Sequence, residues 1–156
     1  MKILLPVDGS DISLEAVRFV IRMAADGLNT SVVLANVQEP STLYELVVAH
    51  DPEVLAQVSA AAGTHTLQAA QALLDTANIA YECEVASGDP AHTLVEIVER
   101  FGCGLVVMGA SGTSSLRSAL LGSVSNEVLH AAGVPVMIVK SVGEPDSTPG
   151  VDEALD

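Results

Sequence analysis

The sequence predicts a single α/β domain, a doubly wound five-stranded parallel sheet with helices on both faces. Three observations carry that expectation. Short apolar runs alternate with longer stretches of helical periodicity, strand then helix four times and then a last strand, the order that builds a parallel sheet covered on both sides. Hydrophobic residues are 49% of the chain and aromatics only 3%, so the core is Val, Leu, Ile and Ala, the composition of buried parallel strands. Helix-start and helix-stop residues fall at the junctions between the two periodicities.

Ile3 to Val7 reads as the first strand. Pro6 donates no ladder hydrogen bond, and it sits near the strand end, where the cost is smallest. A helix follows from about Asp11 or Ser13 to Asp26, with Leu14, Val17, Ile21 and Ala24 inward and Gly27 as its stop. Ser31 to Val37 is the second strand, and residues 38–50 are ambiguous between loop and helical turn. Asp51-Pro52-Glu53 combines an N-cap acid, proline in the first turn and a second acid that suits the helix dipole. That helix runs to about Asn78, with Gly63 as a break. Ile79 to Ala86 is the third strand, and Asp89-Pro90 repeats the helix-start signature. Its helix presents Leu94, Val95, Val98 and Phe101 inward and stops at Gly102. Leu105 to Met108 is the fourth strand. After a Gly/Ser loop, a helix spans about Ser123 to Ala132, stopped by Gly133, and Pro135 to Val139 is the fifth strand. The domain covers residues 1–140. Residues 141–156 carry Pro145, Pro149 and five acids without apolar periodicity, and read as a disordered acidic tail.

A formal net charge of −14 repels phosphate backbones and anionic membranes, which argues against nucleic-acid and membrane-surface partners. No apolar run approaches the roughly 18 residues of a transmembrane helix. The apolar start, Ile3 to Val7, is too short for a signal-peptide core and is followed at once by Asp8. The chain therefore reads as cytoplasmic. Cys83 alternates with Tyr81 and Val85 and is expected to be buried, while Cys103 lies in a turn between glycines. Neither cysteine has metal-ligand spacing, nor do His50, His65, His92 and His130.

In a doubly wound sheet, ligands bind beyond the carboxyl ends of the strands, where strand order reverses. Site residues should therefore follow Val7, Val37, Ala86 and Met108. After Met108 the chain reads Gly109-Ala110-Ser111-Gly112-Thr113, and Gly122-Ser123 opens the next helix. Glycines there let backbone N–H groups approach a phosphate and adopt left-handed angles. The helix start adds unpaired N–H groups and partial positive charge, and Ser111, Thr113, Ser114 and Ser123 add hydroxyls.

The spacing Gly-x2-Gly-x9-Gly-Ser, from Gly109 through Gly122 and Ser123, resembles the nucleotide-binding motif of the universal stress protein family. Ile3 to Ser10, Gly88-Asp89-Pro90, Leu121 to Ser125 and Val134 to Val139 are similar to that family's opening strand, third-helix turn, last helix and last strand. The resemblance spans about residues 1–140. It implies a flavodoxin-like sheet in the order 3-2-1-4-5 and an ATP site, with ADP or AMP as alternatives. Pro6, Val7 and Asp8 would lie by the adenosine, and the Val37 backbone on the adenine. Met108, Gly109, Ser111, Gly112, Thr113, Gly122, Ser123, Val124 and Ser125 would surround the ribose and phosphates. Arg117 is the one basic residue close to the loop in sequence, so Mg²⁺ or Mn²⁺ is implied through the phosphates. The family also implies a homodimer through Pro135 to Val139, signalling through an unidentified partner. A nucleotide-dependent stress regulator follows, with ATP ordering the 109–122 loop and no general base for efficient hydrolysis.

Other classes fit less well. No Gly-Lys pair supplies a Walker loop, and the first turn, Asp8-Gly9-Ser10-Asp11, is neither a dinucleotide fingerprint nor an uncharged flavin loop. Gly109-Ala110-Ser111-Gly112 is not a Gly-x-Ser-x-Gly elbow. A phosphoacceptor receiver would use Asp8, Asp89 and Lys140, but it needs a helix after the fifth strand. A dimeric interaction module without nucleotide is the remaining rival. Asp89, Ser10 and Asp11 are otherwise expected as helix caps.

Overall fold

A strand covered by helices on both faces must be apolar at every position, because successive side chains point to opposite sides. Lys2–Pro6, the first strand β1, meets this requirement: Ile3, Leu4 and Leu5 are fully buried. The computed structural model describes residues 1–40, 47, 51–110 and 121–141. Its further elements are α1 (Asp11–Ala25), β2 (Ser31–Gln38), α2 (Pro52–Thr76), β3 (Tyr81–Ser87), α3 (Pro90–Phe101), β4 (Leu105–Gly109), α4 (Ser123–Ala131) and β5 (Val136–Val139). The strands form one sheet in the order β3-β2-β1-β4-β5, and all four neighbouring pairs are parallel.

Right-handed crossovers then dictate the layers. The chain moves outward from β1 through β2 to β3, then jumps back past β1 to β4 and β5. The first two helices must therefore cover one face and the last two the other. On one face, Ile3, Leu5, Val32, Leu34 and Val107 pack against Ala16, Val17 and Val20 of α1 and Leu67, Ala70 and Leu74 of α2. On the other, Leu4, Val33, Ala35, Val106 and Met108 pack against Ala91, Leu94, Ile97 and Val98 of α3 and Val128 of α4. Each such Val, Leu, Ile or Met side chain contributes about 1.5–3 kcal/mol of burial.

Local chemistry sets the helix ends. Ser10 caps α1 by accepting from the Ser13 N–H, Asp51 caps α2 through Glu53, and Asp89 caps α3 through His92. Gly102 ends α3 in the left-handed conformation, at φ 66°.

Several details depart from the sequence-based expectation. Gly63 does not break its helix, since α2 is continuous from Pro52 to Thr76. It is buried, with Val85 and Asn36 occupying the space a Cβ would need. α1 turns Ser13, Ala16 and Val20 inward beside Val17, leaving Leu14, Ile21 and Ala24 only half-buried. In α3, Ile97 is buried while Val95 is only half-buried. α4 ends at Ala131, one residue short of the expected Ala132, with Ala132 rather than Gly133 closing it as the C-cap. Cys83 is exposed, not buried. β3 is an edge strand, and alternation alone does not say which side of an edge strand is covered. Cys103 is the buried thiol, and burial raises its pKa. The proposed acidic tail from 142 onward lies outside the described residues. Among those described, no helix is long and apolar enough to cross a membrane.

Candidate nucleotide-binding cleft

Strand order reverses between β1 and β4, and such a reversal splays the following connections to opposite faces of the sheet. The resulting crevice is a cleft of about 430 Å³. Pro6, Val7 and Asp8 reach it from the end of β1, Val37 from β2, Met108 and Gly109 from β4, and Gly122, Ser123, Val124 and Ser125 from the start of α4. Every described residue expected at the site from sequence thus lines one cleft. Ser111, Gly112 and Thr113, with Ser114 and Arg117, lie outside the described residues.

Gly109 and Gly122 do not use left-handed angles. Positive φ among the described glycines falls at Gly9, Gly27, Gly88 and Gly102, and Gly122 is extended, at φ −60° and ψ 157°. Gly109 is required for space instead: a Cβ there would stand 2.9 Å from Cγ1 of Ile12 and 3.1 Å from its backbone carbon. Strand β4 and the start of α1 can come this close only without a side chain.

Among the described residues, α4 differs from α1, α2 and α3 in having no side-chain cap at its N-terminus. Its first-turn N–H groups, which no described side chain caps, suit an anion together with the dipole's positive end. The turn is anchored from behind. Ser125, buried, donates through Oγ to the Gly109 carbonyl at 2.9 Å, and the Gly122 N–H donates to the Ala110 carbonyl at 2.7 Å.

At the opposite wall, the Val7 N–H donates to the Ala35 carbonyl at 2.8 Å. Main-chain groups alternate direction along a strand, so Ala35 faces β1, Asn36 faces β3, and Val37 faces the β1 side again. By then β1 has ended, so the Val37 N–H and carbonyl point into the cleft. Asp8 is exposed and accepts from the Ser10 N–H at 2.9 Å and from the Ser10 hydroxyl. Asp8 and Glu39 are the charged residues among the described lining, and no Lys, Arg or His accompanies them.

Sequence reasoning missed Ser10, Ile12, Ser13, Ala35, Asn36, Glu39, Pro90 and Leu94 as lining residues. Asn36 carried a signal: an amide set between the apolar residues Ala35 and Val37 of strand β2. The helix-borne residues carried none, because the packing of α1 and α3 brings them in. The receiver reading fails on topology. A receiver sheet runs 2-1-3-4-5 and sets its first and third strands side by side, whereas here β2 separates β1 from β3, and Asp89 is occupied in capping α3.

A model of the "Universal stress protein family" matches residues 1–140. Universal stress protein MJ0531 of Methanocaldococcus jannaschii is 32% identical over 139 residues, which cover 89% of this chain and 81% of that one. The structure of hypothetical protein MJ0577, from the same organism, superposes with a TM-score of 0.76 at 25% identity, covering 92% of this chain and 97% of that one. A universal stress protein in complex with cAMP superposes with a TM-score of 0.67 at 26% identity, covering 89% of this chain and 96% of that one.

Proposed function

The chain belongs to the universal stress protein family, and we propose that it is an adenine-nucleotide-binding regulator of the stress response whose ligand is ATP held with Mg²⁺ or Mn²⁺. The observation that carries this reading is the pairing of two complementary walls across one cleft. The uncapped start of α4, with Gly109 and Gly122 beside it, suits phosphates. The inward-facing Val37 main chain offers a donor and an acceptor to a base edge, and the apolar Val7, Ala35, Leu94 and Met108 suit its faces. Asp8 stands where β1 gives way to the cleft, in reach of a ribose. The relative solved with cAMP supports the adenine class.

The lining acids require a counter-ion for a polyphosphate. Calorimetry on nucleotide-free protein tests the reading. Saturable ATP binding is expected, markedly weaker after chelation of Mg²⁺, with ADP, AMP and cAMP as comparison ligands. Absence of binding by all four, with and without Mg²⁺, would refute it.

The regulatory output is a shift in dimer shape or partner affinity, driven by differential binding of ATP to the two states. The dimer forms through β5, the sheet edge beside β4. Along β5, Pro135 and Val139 bond to β4, so Val136 and Ile138 direct their main chain outward, toward a second copy. Ile138→Pro removes one outward N–H and spares the β4 ladder. Sedimentation equilibrium is expected to show dimeric wild type and monomeric Ile138→Pro with unchanged far-UV circular dichroism. A wild-type monomer, or a variant that stays dimeric, would exclude this interface.

A further inference from the structure

Asn36 is 4% exposed in a strand whose preceding residues, Val32 to Ala35, are buried and apolar. A buried amide costs about 1–3 kcal/mol unless its hydrogen bonds are made, so its partners explain its presence. Nδ2 of Asn36 donates to the Val7 carbonyl at 2.9 Å. Oδ1 accepts from Nε2 of Gln38. The orientation of the amide is forced, because the Val7 carbonyl can only accept. Gly63 of α2 packs against the same Oδ1 with no side chain between.

These contacts have a consequence for the neighbouring residue. The last rung between β1 and β2 is the Val7 N–H to the Ala35 carbonyl. The next rung would run from the Val37 N–H to the Val7 carbonyl; that bond is not made, and the carbonyl accepts from Nδ2 of Asn36 instead. We propose that Asn36 is a positioning residue for base recognition: its side chain terminates the β1–β2 ladder and so releases the Val37 main chain to the ligand. The assignment rests on the nucleotide-binding reading above. It predicts that part of the cleft's preference for a base bearing a ring-nitrogen acceptor at its N1 edge is set by a residue that need not touch the base.

The test crosses a protein change with a ligand change. ATP and 1-deaza-ATP, which keeps the 6-amino group but lacks the N1 acceptor that the Val37 N–H would read, are titrated into wild type and Asn36→Leu. Wild type is expected to favour ATP by about tenfold, the size of one hydrogen bond, and Asn36→Leu to bind both ligands alike. A merely structural role would weaken both ligands equally, so an unchanged ratio in Asn36→Leu overturns the assignment. Gln38→Met, which leaves Oδ1 of Asn36 without its donor and so loosens the amide's hold on the Val7 carbonyl while keeping the strand, serves where Asn36→Leu does not fold, with a reduced ratio expected and an unchanged one again overturning it. A second readout needs no nucleotide. The Val37 amide should exchange faster with solvent in wild type than in Asn36→Leu, where the Val7 carbonyl becomes free to accept it. Equal protection at Val37 in the two proteins overturns the ladder-ending role. A wild type that binds neither triphosphate overturns the nucleotide reading, and the base-recognition role falls with it. The exchange comparison still decides the ladder.

Discussion

Gly122→Val is expected to abolish ATP binding while leaving the protein folded. The backbone at Gly122, φ −60° and ψ 157°, lies in the extended region that valine readily occupies, so the change carries no conformational strain. As the N-cap of α4, Gly122 is replaced by a poor capping residue, at a cost of about 1 kcal/mol. For a chain of this length that lowers Tm by about 2–4 °C. The binding cost is larger because the branched side chain stands beside the first-turn N–H groups, where a phosphate must make direct contact. A loss of at least about a hundredfold is expected, the equivalent of two charge-assisted hydrogen bonds. Calorimetry together with a thermal scan checks both halves. A folded Gly122→Val protein with wild-type affinity would show that the α4 start does not hold the phosphates.

The parts of this fold that were legible in the sequence are those written by local chemistry. Asp51-Pro52 and Asp89-Pro90 specify helix starts without reference to anything distant, and both acids cap as expected. β1 and β4 carry no polar residue after Lys2, which only a two-sided cover explains. Strand ends were less legible. β2 extends one residue to Gln38 because the Gly88 N–H comes across from beyond β3 to the Gln38 carbonyl, a contact between segments 50 residues apart. The order of strands was not readable from periodicity at all and came from family resemblance. The cleft was legible where its residues sit just past strand ends, as Asp8, Val37 and Gly109 do. It was illegible where helix packing delivers the residue, as with Ile12 and Leu94. Gly63 shows the limit most sharply, since its local chemistry points in the opposite direction from its packing.

Gly63→Ala is expected to destabilise the protein, although helix propensity alone predicts the reverse. In the middle of a 25-residue helix, replacing glycine by alanine gains about 1 kcal/mol. Against that, the new Cβ would lie 2.5 Å from Cγ1 of Val85, 2.9 Å from Oδ1 of Asn36 and 3.3 Å from Cγ2 of Val85. Valine is stiff at χ1, and rotating one methyl away turns the other toward the helix. Either Val85 leaves its rotamer or α2 lifts from β2 and β3, at a typical overpacking cost of about 1–3 kcal/mol. With contacts as short as these the steric cost falls in the upper part of that range and outweighs the propensity gain, and a net loss of up to about 2 kcal/mol follows, read as a lower urea midpoint with unchanged slope. Trimming the obstructing methyls tests the cause. In the pair Gly63→Ala with Val85→Ala, the two effects should be far from additive, because the second change removes the clash that the first creates. Gly63→Ala should also weaken ATP binding, since any shift of the Asn36 amide disturbs its grip on the Val7 carbonyl. A Gly63→Ala protein more stable than wild type would mean that α2 does not press on the sheet there, and that the Asn36 amide is held by Gln38 and Val7 without the helix above it.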